Sequence, residues 1–393
     1  MPDRSIVLCS PCRTPICGFG GSLKDTAATD LGAIAVQDTL KRSGIGGDDV
    51  SSVYMGQVIQ AGAKMNGARQ AAIKGGLPDR VPAMTVNRVC GSGAQAVVSA
   101  AQDILLGNGD CAVAGGMENM DQGPYLLLQG RWGYRLGKSD VHDATLRDGL
   151  LDAFSDEHSG WHTEDLAKKY EVSRKVQDEW AARSQQRFAD AQNAGKFDAE
   201  IVPVDTGGKS GRVEADDANR PGTTLEGLSK LKPAFRKDGT ITAGNAPGIN
   251  TGASAMLVAD AEWAEKKGLQ PMARLVSHAV SAVDPGMFGI APVSAVQRAT
   301  ERAGWNIDDV ERFEINEAFA AIAVAVTREL GLDDERVNVD GGAIAHGHPI
   351  GATGAVLTTR LLYSMKRDGL KRGVVTLCIG GGQGIALAVE SLS

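Results

Sequence analysis

The stretch LKRSGIGGDDV at residues 40–50 has a near-copy, TERAGWNIDDV, at residues 300–310. Each copy predicts a helix that stops at a glycine and is followed by a short loop. A strand is predicted directly afterwards, with SVYM at residues 52–55 and RFEI at residues 312–315. The same order of elements therefore begins twice in the chain, about 260 residues apart.

Two further matches follow in the same order in both copies. A glycine-rich turn opens an apolar, alanine-rich helix at CGSGA (90–94) and again at GATGA (351–355). An apolar strand then runs into glycines, at residues 111–116 and at residues 374–380. Strands that alternate with helices of this length are typical of α/β domains with parallel or mixed sheets. We therefore predict an α/β protein built from two similar halves.

The segment between the copies, residues 119–248, is richer in charged and aromatic residues. It has little material for a hydrophobic core of its own, so we expect it to pack over one face of the duplicated pair. One amphipathic helix is predicted within residues 174–194, with Val176, Trp180, Ser184 and Phe188 near one face.

The composition excludes several classes of protein. The 393 residues include 41 basic and 48 acidic side chains and carry a formal charge of −7, without a basic stripe, so no nucleic-acid partner is expected. No apolar run approaches about 18 residues, so no membrane span is expected, and the early apolar run from Ile6 argues against a signal peptide. Six cysteines in so long a chain indicate free thiols in a reducing compartment, which predicts a cytoplasmic protein.

Glycine is unusually common, with 50 of the 393 residues, or about 13% against a usual level of about 7%. The glycines cluster around the motifs described below. We expect them to let the backbone approach a substrate closely.

Cys90 is the strongest candidate for a reactive residue. It follows a predicted strand over residues 84–89 and precedes a predicted helix over residues 94–106. A thiol at a helix N-terminus is expected to have a lowered pKa. The small neighbouring residues would leave backbone N–H groups free as donors. The alternative interpretation is a small buried cysteine in a strand–helix turn.

A second candidate lies in the loop GGAIAHGHPIGATG at residues 341–354. The loop has few side chains capable of chemistry, so one of its histidines is a candidate base near a nucleophile. A structural turn histidine and a metal site formed by His346 and His348 remain as alternatives. Cys9, Cys12 and Cys17 are interpreted as core or loop residues, because a metal site would need a fourth ligand nearby.

Two other positions have open interpretations. Cys378 ends a predicted strand before GGGQG (380–384), whose spacing does not match a dinucleotide-binding loop, so Cys378 is either reactive or simply buried. Asn316 begins the motif NEAF and precedes an apolar helix. It is either the N-cap of that helix or a group that holds a water or donates to an oxyanion.

Six motifs in order, spread over the whole chain, resemble the thiolase family. They are NRVCGSG (87–93), GGMENM (115–120), TAGN (242–245), NEAF (316–319), the loop at 341–354 and CIGGG (378–382).

The resemblance implies acyl transfer in two steps with ping-pong kinetics. Cys90 would be the nucleophile, deprotonated by His348 and acylated to a thioester. Cys378 would act as the acid/base at the α-carbon of the second acyl-CoA. His348 and a water held by Asn316 would form one oxyanion hole, and the backbone N–H groups of Cys90 and Gly380 the other.

The resemblance also implies a layered αβαβα fold of two α/β halves with an inserted loop domain that binds CoA. The N-terminal half would comprise residues 1–118 and 249–272, the insertion residues 119–248, and the C-terminal half residues 273–393. CoA and acyl-CoA would be substrates, with no permanently bound cofactor, and the protein would be a homodimer or homotetramer. The family's CoA contacts match His158, Arg220 and Phe319.

Several positions depart from the familiar pattern of the family. Pro247 replaces a serine that contacts CoA, and Ser159 and Phe288 stand where short-chain members often carry Met. A small Ser159 would admit longer acyl chains, whereas Phe288 would block branched ones. His346 replaces an aliphatic residue, and Gln383 replaces a common Met.

Two rival functions remain open at this stage. A decarboxylating ketoacyl synthase-type enzyme shares the duplicated fold and a nucleophilic cysteine, but uses two histidines where this chain has His348 and Cys378. A non-catalytic acyl-CoA-binding protein of the same fold would have no need to keep Cys90, His348 and Cys378 together.

Overall fold

The computed structural model describes residues 4–393, in which strands and helices alternate. The strands are β1 (Ile6–Arg13), β2 (Cys17–Gly18), β3 (Ser52–Gly56), β4 (Ala83–Val86), β5 (Cys111–Asn119), β6 (Tyr125–Leu126), β7 (His142–Asp143), β8 (Val204–Asp205), β9 (Arg212–Val213), β10 (Asn250–Asp260), β11 (Pro271–Ala282), β12 (Arg312–Ile315), β13 (Arg372–Ile379) and β14 (Gln383–Ser391). The α-helices are α1 (Ala28–Ser43), α2 (Gly67–Lys74), α3 (Ser92–Leu105), α4 (Ala144–Gly149), α5 (Ser159–Lys169), α6 (Arg174–Asn193), α7 (Leu225–Ser229), α8 (Ala261–Lys266), α9 (Ala291–Ala303), α10 (Ala320–Glu329), α11 (Ala343–His346) and α12 (Thr353–Asp368).

One large mixed sheet runs through the molecule in the order β12-β13-β14-β11-β1-β10-β5-β3-β4, with β2 paired to β10. In the first half, β10 is antiparallel to β1 and β5, and β5, β3 and β4 are parallel. In the second half, β14 is antiparallel to β11 and β13, and β13 is parallel to β12. Strands β1, β10, β5 and β3 thus correspond to β11, β14, β13 and β12, which confirms the predicted duplication.

The two halves join through the antiparallel pairing of β1 with β11, in which Leu8 lies opposite Ala273. The repeated stretch has the same backbone in both halves. Helix α1 ends at Gly44 with a φ of 72°, and α9 ends at Gly304 with a φ of 71°. Both are left-handed caps, a conformation that glycine adopts without a side-chain clash.

Three hydrophobic clusters show the layers. One lies between α1, α2 and the outer face of the first half's strands. A second lies between the strands of the second half and α9 and α10. The third joins α3 and α12 to strands of both halves. Within β5, Cys111 and Val113 face the outer cluster, and Ala112 and Ala114 face the central one, as strand alternation requires. The predicted layered α/β fold is confirmed.

The central helices α3 and α12 pack against each other at two glycines. A Cβ atom built on Gly93 would lie 2.6 Å from the backbone nitrogen of Ala355, and one on Gly354 would meet the backbone of Ala94. Only glycine permits so close an approach of two backbones. The contact brings the N-terminal ends of both helices together.

The chain between the halves packs over the second half through α5 and α6. The predicted helix within residues 174–194 is confirmed, and its side chains Trp180, Ser184 and Phe188 are buried. A buried ion pair anchors this segment to the first half, since Arg13 of β1 binds Glu200 and Asp216 at 2.7 Å each. The predicted domain boundaries stay a prediction. No helix within residues 4–393 is long and apolar enough to cross a membrane.

Candidate active site

A cavity of about 630 Å³ opens where the two halves and the inserted segment meet. Its wall contains most of the side chains and backbone groups that the sequence singled out. These are Cys90, His158, Ser159, Pro247, Phe288, Phe319, His348 and Gly380. Cys378 and Asn316 are buried and do not line this wall. The amide nitrogen of Asn316 lies 3.4 Å from Nε2 of His348, and Cys378 is near enough to Cys90 for a charge on Cys90 to raise its pKa.

A tight turn presents Cys90 to the cavity. Strand β4 ends at Val86, so the predicted extension of this strand to residue 89 is wrong. The chain turns because the Asn87 side chain accepts a hydrogen bond from the Val89 N–H at 3.0 Å. Ser92 closes the turn by donating its hydroxyl to the Val89 carbonyl at 2.7 Å. Val89 has a φ of 44°, a strained conformation for a β-branched residue, and such strain is often found at functional sites.

The thiol of Cys90 is protonated at neutral pH. Burial raises its pKa to about 11, although the backbone N–H groups of Gly380 and of Cys90 itself point at the sulfur and lower it. The predicted lowering of this pKa is therefore wrong, because the apolar wall outweighs the local donors. Burial, followed by the charge that Cys90 would carry, also raises the pKa of Cys378 well above its usual value. A proton acceptor is needed before either thiol can react.

His348 is a neutral base in the same cavity wall as this thiol. It lies between α11 and α12 and is buried. Its Nδ1 is 2.7 Å from the hydroxyl of Thr353, and its Nε2 is 3.4 Å from the amide nitrogen of Asn316. Burial lowers the pKa of His348 to about 4, so the imidazole is uncharged at neutral pH and can accept a proton.

The loop that carries His348 belongs to the second half but is held by the first. The backbone N–H of His348 donates to the side chain of Asn250 at 2.8 Å. The N–H of Gly351 donates to the carboxylate of Glu118 at 2.9 Å. Glu118 also accepts from the N–H groups of Val58 and Ile59. Sequence reasoning assigned no role to Glu118, although a carboxylate within the apolar strand GGMEN signals a buried acceptor that needs donors.

Asn316 lies at the back of the site and does not cap a helix. Helix α10 begins at Ala320, with Phe319 in the N-cap position, so the N-cap interpretation is wrong. The side chain is fully buried, and its Oδ1 has no hydrogen-bond partner within residues 4–393. A buried amide oxygen of this kind is suited to hold a water.

Glu317, the next residue, was also missed by sequence reasoning. Its buried carboxylate ties helix α6 to the loop that carries His348. It accepts hydrogen bonds at 2.7–3.0 Å from four groups: the Trp180 indole, the Ser184 hydroxyl, the Asn338 amide and the Ile344 N–H.

An aromatic row forms one side of the cavity. The His158 ring stacks on Phe235 with 4.6 Å between centroids, and Phe235 meets Phe319 edge-on at 6.0 Å. Sequence reasoning missed Phe235, which no local motif marks. Arg220 lies on the exposed surface outside the cavity wall, where its guanidinium donates to the carbonyl of Ala243, a residue of the wall.

The other histidine of the loop faces away from the cavity. His346 is fully buried, and its ring lies 6.0 Å from that of Phe188. Across residues 4–393, no three His, Cys, Asp or Glu side chains are grouped as metal ligands. Cys9, Cys12 and Cys17 are buried free thiols of β1 and β2, in agreement with their interpretation as core residues.

Comparison with known proteins identifies the family. The model of the thiolase N-terminal domain matches residues 6–262, and that of the thiolase C-terminal domain matches residues 269–391. The chain belongs to the thiolase family. The predicted membership and the predicted class of enzyme, an acyltransferase, are confirmed.

Several similar proteins match nearly the whole chain. The acetyl-CoA acetyltransferase of Cupriavidus necator is 49% identical, over 98% of this chain and 99% of that protein. A probable acetyl-CoA acyltransferase of Staphylococcus epidermidis is 49% identical, over 98% of both. The crystal structure of the Bacillus anthracis acetyl-CoA acetyltransferase superposes with a TM-score of 0.97, at 42% identity and 99% coverage of both chains.

The His346→Leu variant should be more stable than the wild type, increasingly so as the pH falls. Both ring nitrogens of His346 are buried without a partner within residues 4–393. Burial, followed by the charges of Arg360 and Arg13, holds the pKa of His346 well below 6.5. Below pH 6.5 the unfolded state gains a proton that the folded state does not, which removes up to about 1.4 kcal/mol of unfolding free energy per pH unit.

Melting temperatures of both proteins at pH 7.5 and pH 5.5 would measure this effect. The difference in melting temperature should be larger at pH 5.5, and His142→Leu, at a half-buried histidine of β7, serves as the control. The same difference at both pH values would contradict the assignment to His346.

Proposed function

We propose that this thiolase-family enzyme catalyses the reversible condensation of two acetyl-CoA to acetoacetyl-CoA and CoA, and the thiolysis of 3-ketoacyl-CoA, through an acyl-enzyme on Cys90. One observation carries the proposal. A half-buried thiol lies under two converging backbone N–H donors, in the same cavity wall as a neutral histidine and near enough to a second thiol for their charges to interact. Acyl exchange between thiols is nearly balanced in energy, which suits a reversible transfer.

In the first half-reaction, Nε2 of His348 takes the proton from Cys90. The resulting thiolate attacks the carbonyl carbon of the acyl-CoA. The carbon–sulfur bond to CoA then breaks, and the CoA thiolate takes a proton from Cys378 as it leaves. The N–H groups of Cys90 and Gly380 point at the sulfur, where they are placed to hold the carbonyl oxygen of the acyl group. Each such donor contributes on the order of 3 kcal/mol to the transition state.

In the second half-reaction, the Cys378 thiolate left by that transfer removes a proton from the α-carbon of the second acyl-CoA. His348, which still carries the Cys90 proton on Nε2, and a water bound to Asn316 would hold the enolate oxygen. The carbanion attacks the thioester carbonyl on Cys90 and forms the carbon–carbon bond, and the departing Cys90 thiolate takes its proton back from Nε2 of His348. The reverse sequence is thiolysis. The nearness of the two thiols supports this division of roles, since a charge on Cys90 opposes ionisation of Cys378 and acylation of Cys90 removes that charge.

The position of Cys378 argues against the rival functions. A decarboxylating synthase would remove carbon dioxide from its second substrate and would need no base at that α-carbon. Here a second thiol lies near the nucleophile in place of a second histidine. A non-catalytic binding protein would have no use for a strained turn that aims Cys90 at the donors.

CoA and acyl-CoA are proposed as substrates, with no resident cofactor. His158 and Phe319 lie in the cavity wall, where their rings would contact the pantetheine chain or the acyl group. Arg220 would contact CoA only beyond the cavity wall, beside Ala243.

The protein is proposed to work in the cytoplasm as a homodimer or homotetramer. All six cysteines are free, and the reaction needs two of them reduced. The segment from residue 125 to residue 141 exposes a series of large apolar side chains, which a second copy of the chain would cover. They are Tyr125, Leu127, Leu128, Trp132, Tyr134, Leu136 and Val141.

Cys90→Ala should abolish labelling of the enzyme by radioactive acetyl-CoA, because no other thiol lies under the donors. Cys378→Ala should still be labelled but should not condense acetyl-CoA. Acid-quenched labelling and acetoacetyl-CoA formation measure the two steps. A Cys378→Ala enzyme that condenses at the wild-type rate would refute the assigned roles. Wild-type condensation of acetyl-CoA that required malonyl-CoA would favour the decarboxylating alternative.

Ser159→Met should lower kcat/KM for thiolysis of long 3-ketoacyl-CoA by about 10–100-fold relative to acetoacetyl-CoA. Ser159 lines the cavity at the start of α5, and the larger side chain would fill part of the acyl space. Ser229→Met, on the exposed helix α7, is the matched control. An unchanged chain-length profile in the Ser159 variant would show that this residue does not limit acyl length.

The wild type should have a mass in solution that is two or four times 41.0 kDa. Replacement of both Trp132 and Leu136 by serine should reduce that mass if the exposed apolar segment is an interface. Light scattering coupled to size-exclusion chromatography measures both. A wild-type mass of 41.0 kDa would contradict the proposed oligomer.

A further inference from the structure

We propose that Thr353 is a positioning residue that keeps the proton of neutral His348 on Nδ1, so that Nε2 presents its lone pair to the Cys90 thiol. The inference rests on the proposed function, because it assigns the tautomer of His348 from which the proposed proton transfer begins. Thr353 is fully buried at the first position of α12 and lies outside the cavity wall, so it acts through His348.

Two hydrogen bonds of the Thr353 hydroxyl carry the argument. Its oxygen lies 2.8 Å from the carbonyl oxygen of Pro349 and 2.7 Å from Nδ1 of His348. A carbonyl oxygen only accepts, so the single hydroxyl hydrogen is donated to Pro349. The hydroxyl can then only accept from Nδ1, which must therefore carry a hydrogen.

The other side of the imidazole agrees with this assignment. A neutral imidazole has one N–H group, so Nε2 is an acceptor when Nδ1 is protonated. The amide nitrogen of Asn316, which cannot accept a hydrogen, lies 3.4 Å from Nε2, a long contact that disfavours an N–H at that position. Both neighbours of the ring thus favour the same tautomer.

The Thr353 hydroxyl is held in one orientation by the backbone. The N–H of Thr353 also donates to the Pro349 carbonyl, at 3.0 Å, so backbone and side chain converge on one acceptor. The hydroxyl therefore presents a fixed lone pair to the ring. The hydrogen bond made by one ring nitrogen of a histidine determines the tautomer, and therefore determines which nitrogen exchanges the proton.

The same contact serves the protonated state. When Nε2 takes the proton of Cys90, the products are a thiolate and an imidazolium with hydrogens on both nitrogens. The Nδ1–H keeps its acceptor on Thr353, so the ring need not turn during the transfer. Without the hydroxyl, the Nδ1–H would be a buried donor with no acceptor, and the tautomer with its hydrogen on Nε2 would be favoured. That tautomer cannot take the proton of the thiol.

Replacement of Thr353 by valine removes the hydroxyl and keeps the shape, while serine keeps the hydroxyl. Thr358→Val is a matched control, because the buried Thr358 of the same helix donates to the Gly354 carbonyl at 2.7 Å and contacts no histidine. All variants are made in the Cys378→Ala background. The rate of Cys90 alkylation by iodoacetamide at pH 7, located by mass spectrometry, reports the proton transfer to His348 without any substrate.

Thr353→Val should slow alkylation of Cys90 by about 10–100-fold. Thr353→Ser should stay within about threefold of the parent, and Thr358→Val should match it. In enzymes with Cys378 intact, kcat should fall in parallel while KM for acetyl-CoA stays unchanged. Should the valine variant fold poorly by circular dichroism, Thr353→Ala carries the same prediction.

Alkylation of the Thr353→Val or Thr353→Ala protein at the parent rate would overturn the proposal, and so would an equal loss in Thr358→Val. Failure of the proposed function has a different signature. In that case the wild type would not exchange acetyl groups between acetyl-CoA and free CoA, while the alkylation rates would still decide the role of Thr353.

Discussion

The close contact between α3 and α12 is the constraint on which the rest of the structure depends. The two helices occupy equivalent places in the two halves, and they meet at Gly93 and Gly354, where any side chain would collide with the opposite backbone. Their N-terminal ends therefore lie side by side. Cys90 precedes one helix and His348 the other, so one backbone contact brings a nucleophile and a base from different halves into a single cavity. The glycines at these two positions serve contact between the halves, whereas the sequence alone had suggested approach of the backbone to a substrate.

The resting site is built from uncharged groups. Burial opposes ionisation of Cys90, Cys378 and His348 alike, so each is neutral before substrate binds. Charge would form only when a proton moves from sulfur to imidazole. Because water does not surround the new charges, hydrogen-bond donors and acceptors of the protein have to stabilise them, and the structure provides such groups. The N–H groups of Cys90 and Gly380 face the sulfur, and the hydroxyl of Thr353 faces the imidazole. In a dry site such preorganised groups act more strongly than they would in water.

Buried carboxylates hold the loops that carry these groups in fixed positions. Glu118 joins a loop of the first half to Gly351, and Glu317 joins the inserted helix α6 to the loop that carries His348. Each accepts several hydrogen bonds from groups distant in the chain, which offsets the cost of burying the carboxyl group. A mobile loop rich in glycine would place His348 poorly. The carboxylates supply the rigidity that the glycine-rich chain lacks.

Short-range sequence patterns were enough to predict the repeat and the helices and strands around it, because these depend on periodicity and on turns a few residues long. The same patterns were enough to mark Cys90 as a candidate reactive residue. The six motifs, through their resemblance to thiolases, added the family. The tertiary structure alone decided that burial raises the pKa of Cys90, that Asn316 does not cap a helix, and that Phe235 and Thr353 belong to the site. A side chain's protonation state and partners are set by the groups packed around it. Most of those groups come from segments far apart in the chain, which local sequence patterns do not bring together.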